Sequence, residues 1–504
     1  MADSLAELRV RAAELADLHG VTALLHWDQH TTMPPSGGAA RAERLATLDA
    51  VAHGRLTDPA LGRLLDELEP WADDQDPDSD PVRLVSRIRR DHEKAVRIPA
   101  ELSAELTRAA SLGQEAWLDA HRANDFGRFR DALERQVELR HRYVGCFPDA
   151  EHPYDVLLDD YEPGMRTAEV VPVLAELREG LTPLVAATAR DARRPNDGVF
   201  AGPWDVATQR DAVLDVLGAV GYDPASWRLD PAPHPFALGI GTGDTRITIR
   251  YVEDEFGMAL YSSLHEFGHG LYDASHAPEL ARTTLDAPAS LAVHESQSRL
   301  WENLVGRGRP FCAWVLPRLR DTLGDGLPER LDADGLFRAV NAVSRSLVRV
   351  EADETTYNLH VVLRFELELA LVDGTLAVDD LPAAWNERMA SDLGVEVPDD
   401  RSGVLQDIHW GMGAIGYFAT YTLGNLVAAQ LWRRLRSDLP DLDASIEAGD
   451  FAPLRAWLGE HVHRHGRKFD TRELLERVTG EALTPQPFLA YLRAKLEDTG
   501  ALAA

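Results

Sequence analysis

The sequence predicts a mainly α fold with one small β-sheet. Apolar residues recur at three- and four-residue spacing through most of the chain, whereas a single stretch, TRITIRYV at 245–252, alternates with the period of a strand. Composition bounds the rest: 504 residues, 45% hydrophobic and 27% charged, fit a globular protein whose length permits one large domain or several.

From Ser4 to about His141 the pattern is a series of amphipathic helices, the first marked by Leu5, Leu8, Ala12, Leu15 and Leu18. Helix starts are expected at Asp58-Pro59, Asp80-Pro81, Pro99-Ala100-Glu101 and Asn124-Asp125, where a capping side chain or first-turn proline precedes the periodic run. Trp27 to Gly38 reads as a loop because Pro34-Pro35 and Gly37-Gly38 are strong breakers. The acidic stretch Asp73 to Asp80 reads as a short solvated linker. The strand is expected between Asp244 and Val252, with Ile247 and Ile249 on one face and Arg246, Thr248 and Arg250 on the other. The glycines at 239, 241 and 243 resemble a phosphate loop, but they lead into a strand where a nucleotide loop leads into a helix, so they read as a turn. Helical runs then follow at about 257–275, 287–306, 335–373 and 412–437, with no repeat of fixed period.

A net charge of −31 argues against nucleic acid or anionic lipid as the main partner, since both are bound through clustered Lys and Arg. No stretch approaches the roughly 18–20 apolar residues needed to cross a bilayer, so no membrane association is expected. The amphipathic, acidic N-terminus lacks the layout of a secretory signal. Cys146 and Cys312 allow one disulfide at most, which suits a reducing, cytoplasmic location.

The chemistry concentrates in MALYSSLHEFGHGLYD. Leu260, Leu264, Phe267 and Leu271 recur at helical spacing, so His265 and His269 share one helical face and reach one metal ion. Glu266 lies about 100° around the helix, where a carboxylate stands beside an activated water without ligating the metal, the post of a general base. This His-Glu-x-x-His (HEXXH) motif alone is suggestive only, because a helix with two surface histidines produces the same letters. A catalytic zinc needs a third protein ligand. Glu295, on the periodic segment LAVHESQSRLWEN, is the better choice, because a helix returning antiparallel would deliver one carboxylate; His294 is the competing ligand. The ion would lower the pKa of a bound water, and Glu266 would take its proton during attack on a peptide carbonyl.

Six segments carry a resemblance. They are His234-Pro235-Phe236, the Asp244–Thr248 strand, His265–His269, His294-Glu295-Ser296-Gln297, Val348–Asp353 and Gly403–Trp410, accompanied by WDQHTTMPPSGGAARAERLATL near the N-terminus. In this order and over nearly the whole chain they resemble the thermostable carboxypeptidase Taq family of metallocarboxypeptidases. The resemblance implies one catalytic domain over 1–504: a large, mainly α metallopeptidase with a deep central groove and one small β-sheet near the active site. Its parts would be a helical section of about 1–230, a metal-site section of about 231–437 and a helical section of about 438–504. It also implies a homodimer that removes C-terminal residues from peptides with broad specificity, handles proline poorly and uses one divalent ion per chain, zinc or alternatively cobalt. By motif, His265, His269 and Glu295 would be its ligands and Glu266 the catalytic base. One departure is Ala419, where the resemblance implies proline.

Further candidates come from these motifs. His409 and Tyr417, in the Gly-rich segment HWGMGAIGYFATY, are candidate donors to the developing oxyanion, with Tyr421 as the alternative. Recognition of a free carboxylate calls for an Arg fork, and Arg349, Arg246 and His234 are the candidates. His360 and Arg364 suggest a buried polar network that orients the zinc ligands. The strand at 244–252 is expected to pair with extended peptide substrate. The main reading is thus a peptide hydrolase acting on free C-termini, set against an endo-acting zinc oligopeptidase and an inactive helical peptide-binding protein.

Overall fold

The computed structural model describes residues 2–188 and 198–502. Helices dominate, as the 3.6-residue periodicity requires. Six long helices, Ala2–Thr31, Gly38–Leu56, Pro59–Asp73, Asp80–Arg97, Ala100–Ala123 and Gly127–Val144, form the N-terminal part. Asp58 caps the third, accepting the Ala60 N–H at 2.9 Å, and Pro59 occupies its first turn. The first helix continues through Trp27–Thr31, which the sequence reading placed in a loop. A proline disfavours helix for the residue before it, here Met33, so Pro34 leaves Trp27–Thr31 free to stay helical. Arg41 then anchors this end by bonding the Leu25 carbonyl and Asp28.

The sheet has three strands, β1 (Trp227–Pro231), β2 (Ala237–Gly241) and β3 (Asp244–Ile249), in the order β1-β3-β2. Residues 242 and 243 form the β2–β3 turn, with Gly243 at φ 78°, as a turn reading of the glycines requires. β3 pairs parallel with β1 and antiparallel with β2, so both its edges are filled. That corrects the expectation that β3 accepts a substrate strand, because β1 pairs with it over Thr245–Ile249 and β2 over Asp244–Ile247. Ile247 and Ile249 are fully buried as expected, but so is Thr248, whose hydroxyl accepts the Phe236 N–H and donates to the Phe236 carbonyl.

Two of the long helical runs are interrupted. The 335–373 run divides into Ala333–Val340 and Glu354–Val372, the second capped by Asp353, which accepts the N–H groups of Thr355 and Thr356. The 412–437 run becomes helical only at Ala419, because Gly413 and Gly416 hold left-handed φ values of 72° and 100°. Ala419 is the first helical residue, a position that suits proline and alanine alike, so its difference from the family pattern leaves the local fold unchanged.

Glycines set how closely the site helices approach. The helix Phe256–Ala274 meets Leu291–Arg299 at Gly268, where a Cβ would lie 2.7 Å from the Ser298 Cα. On its other side Leu291–Arg299 meets Ala419–Asp438 at Gly424, where a Cβ would lie 2.7 Å from the Glu295 Cγ. One continuous apolar core joins Ile249, Leu264, Phe267, Trp301, Val427 and Leu458. Gly268→Ala is therefore expected to force these helices apart and to cost about 1–3 kcal/mol in urea unfolding. A loss below about 0.5 kcal/mol would contradict this packing account.

Candidate active site

Helical geometry delivers the predicted donors to one place. One donor atom from each of His265, His269 and Glu295 lies within 4.8 Å of the others. The imidazole Nε2 atoms of His265 and His269 stand 3.7 and 3.4 Å from Glu295 Oε2. The His265 and His269 side chains retain 19% and 13% exposure, so solvent and a small ligand reach the cluster. Two imidazoles and one carboxylate suit a borderline divalent ion, and three protein donors leave room for a further ligand. His294, the alternative donor, instead turns its Nε2 to Asp273 Oδ1 at 3.1 Å and stacks on the His269 ring at 4.2 Å.

The surroundings set the charges. Burial pushes the Glu295 carboxyl up, but Arg299, His265 and His269 outweigh it and hold the group well below the usual carboxylate range. Burial, then the neighbouring His294, depresses His269 to about 4, so its imidazole is neutral and available as a donor. Glu266, only 5% exposed, is raised by burial to about 7, as befits a proton acceptor working near neutrality. Sequence reasoning missed two partners: Arg299 Nε donates to Glu295 Oε1 at 2.7 Å, and Glu302 Oε2 lies 2.9 Å from His265 Nδ1. The spacing of 295, 299 and 302 on one helical face was the available signal.

A second group of polar residues is built around Asp407. Arg349 donates to Asp407 Oδ1 from Nε and Nη2 at 3.1 and 2.7 Å, and Arg364 Nε donates to Oδ2 at 2.6 Å. Arg349 Nη1 donates to the Tyr357 hydroxyl at 3.0 Å. The network expected from His360 and Arg364 is present, yet its hydrogen bonds run to Asp407 and Gln406, with Arg364 Nη1 donating to the His360 carbonyl. His409 is depressed to about 4 by burial, and its Nε2 lies 3.3 Å from the Tyr421 hydroxyl. The Tyr417 ring packs against those of His409 and Tyr421, at 5.3 and 5.2 Å, and Arg349 lies 5.0 Å from the Tyr421 ring centre. Burial raises the Tyr417 hydroxyl above its usual value, keeping it a donor.

The third group stands apart. Arg246 donates to Asp244 from Nε and Nη2, each at 2.8 Å, and lies 4.4 Å from the Trp27 ring. His234 is exposed near the end of the first helix, and its neighbour Phe236 packs on His30 at 5.6 Å. Neither Arg246 nor His234 shares a hydrogen bond or ring contact with the His265, His269 and Glu295 cluster.

A mainly helical scaffold that places a glutamate beside two imidazoles and a second carboxylate has the donor set and the base of a metallopeptidase. Residues 7–496 match the family described as Carboxypeptidase Taq (M32) metallopeptidase, and the chain belongs to that family. It is similar to thermostable carboxypeptidase 1 of Thermus thermophilus, at 43% identity over 96% of both chains, and to carboxypeptidase 1 of Bacillus subtilis, at 35% over 94% of both. Among solved structures it resembles an M32 carboxypeptidase from Deinococcus radiodurans, with a TM-score of 0.94 at 41% identity over 99% of this chain and 100% of that one. The chain is accordingly a metallocarboxypeptidase.

Replacing Asp407 with Asn would leave two buried guanidinium groups without a counter-charge. A loss of about 3–5 kcal/mol in urea unfolding is expected. His360 yields a pH effect. Burial first, then Arg364 and Arg349, lowers it to about 3, while the unfolded imidazole titrates near 6.5. The unfolded chain binds the extra proton between those values, so this contribution is complete above pH 6.5 and is lost as pH falls towards 3. Urea midpoints at pH 7.5 and 5.5 should therefore differ less in His360→Leu than in the wild type.

Proposed function

We propose that the chain is a zinc-dependent carboxypeptidase of broad specificity, with His265, His269 and Glu295 as metal ligands. The observation that carries this reading is the convergence of those three donors, with Glu266 one residue along the helix from His265. The fit rests on the donor set: two imidazoles and a carboxylate whose donor atoms lie within 4.8 Å of one another. Zinc supplies Lewis acidity for the carbonyl and for the attacking water, and cobalt would serve the same donors.

Glu266 accepts the proton of the attacking water and passes it to the leaving amine. Tyr417, with Tyr421 as the alternative, and His409 donate to the oxygen on which negative charge develops; their packing together and their neutral forms support this role. Arg349 and Tyr421 meet the substrate's terminal carboxylate. The Asp407 contact fixes the orientation of Arg349, and a preset guanidinium loses little freedom when a carboxylate arrives. Arg246, forked onto Asp244, and His234, exposed near the first helix, are further candidates for contact with the substrate.

The chain acts as one catalytic unit, supported by an apolar core that draws residues from 199 to 478. It works as a cytoplasmic homodimer. Cys146 and Cys312 are free, and no helix among the described residues is long and apolar enough to cross a membrane.

Timed mass spectrometry of a free-acid peptide should show a ladder of single losses from the C-terminus, with the C-terminally amidated peptide left intact. Internal cleavage of the amidated peptide at the same rate would instead indicate an endo-oligopeptidase. Chelation should abolish activity, zinc should restore it, and Glu266→Gln should lower kcat at least 100-fold by removing the proton acceptor. Full activity in Glu266→Gln or after metal removal would defeat the mechanism.

A further inference from the structure

The Glu295 carboxylate is divided between two tasks. Its Oε2 faces the imidazoles of His265 and His269 and also accepts a 3.3 Å bond from the Ser298 hydroxyl, while Oε1 accepts Arg299 Nε at 2.7 Å. The same guanidinium reaches Glu302 Oε2 through Nη1 at 3.4 Å. Glu302 Oε2 is the atom that faces His265 Nδ1 at 2.9 Å. Arg299 thus spans the carboxylate that faces the imidazoles and the carboxylate behind one of those imidazoles.

The backbone is shaped for this bridge. Arg299 ends the α-helix Leu291–Arg299, and Leu300–Val305 continues as a π-helix in which the Gly306 N–H bonds the Trp301 carbonyl five residues back. Such turns are rare and cluster at functional sites. Here the widened turn carries Glu302 and places it between Arg299 and Arg307, whose Nη2 lies 3.5 Å from Glu302 Oε1. The Arg299 guanidinium also lies 4.7 Å from the Tyr357 ring, which limits its freedom to swing away.

We propose that Arg299 is a positioning residue for the metal centre: it engages one oxygen of Glu295 so that a single oxygen remains for the ion, and it holds Glu302 against His265. The inference rests on His265, His269 and Glu295 being the ligands. Without Arg299, Glu295 Oε1 loses that hydrogen bond and Glu302 loses one of its two arginine neighbours. Lysine has one nitrogen at its tip, so it cannot reproduce the separate Nε and Nη1 donors with which Arg299 reaches Glu295 Oε1 and Glu302 Oε2.

The test uses the purified full-length protein and reads metal binding directly. His265→Ala is measured first. Loss of the one zinc per chain upholds the ligand set, whereas retention of that zinc overturns both the ligand set and this inference. Arg299→Met and Arg299→Lys are then titrated with zinc against a competing chelator, and their cobalt-substituted forms are compared by visible absorption. Zinc affinity is expected to fall 10- to 100-fold in both. The cobalt spectrum is expected to change as the Glu295 coordination changes, with the thermal midpoint of the metal-free Arg299→Lys protein close to wild type. Wild-type zinc affinity and an unchanged cobalt spectrum in Arg299→Lys would overturn the proposal, and that variant decides the matter should Arg299→Met fail to fold.

Discussion

The site depends on how closely the helix Leu291–Arg299 is held between two others. Gly268 lets the His265–His269 helix rest against the backbone of Gln297 and Ser298, and Gly424 leaves room on the opposite side for the Glu295 side chain. A carboxylate is short, so it meets two imidazoles only where the helices nearly touch. Glycine removes the side-chain thickness that would keep them apart. The surrounding apolar core, including fully buried Phe267 and Trp301 with ring centres 5.0 Å apart, keeps that spacing rigid.

On this frame several of the buried charges around the site are matched by opposite ones. Glu295 is paired with Arg299, Glu302 stands between Arg299 and Arg307, and Asp407 between Arg349 and Arg364. Tyr357 links the two sets, since it accepts a hydrogen bond from Arg349 and lies beside Arg299. Burying such groups is costly unless each is matched. Once matched, they form a preoriented polar wall that needs little rearrangement when charge develops on a bound peptide. The chain's net charge of −31 therefore coexists with a site in which arginines balance the buried carboxylates.

Legibility in the sequence follows the range of the interaction. His265, Glu266 and His269 were readable because one helical turn fixes their mutual placement, and the helix bounds matched within a residue or two. Glu295 was readable from its periodic segment, although choosing it over His294 needed the structure to turn His294 towards Asp273. Asp407 was quoted only as part of a motif, because nothing local reveals that it meets an arginine 58 residues earlier in the chain. β1 and β2 were missed for a different reason. β1 ends in Pro231 and β2 contains Gly239 and Gly241, so neither shows the alternation that exposed β3. The overlong helical runs at 335–373 and 412–437 failed where polar caps and left-handed glycines override apolar periodicity.

The central claim is that His265, His269 and Glu295 hold the catalytic ion. A crystal of the zinc-loaded protein, measured on both sides of the zinc absorption edge, tests it most directly. The account predicts one anomalous peak per chain in contact with both imidazoles and one Glu295 oxygen. A peak elsewhere, or one ligated by His294 in place of Glu295, would contradict it.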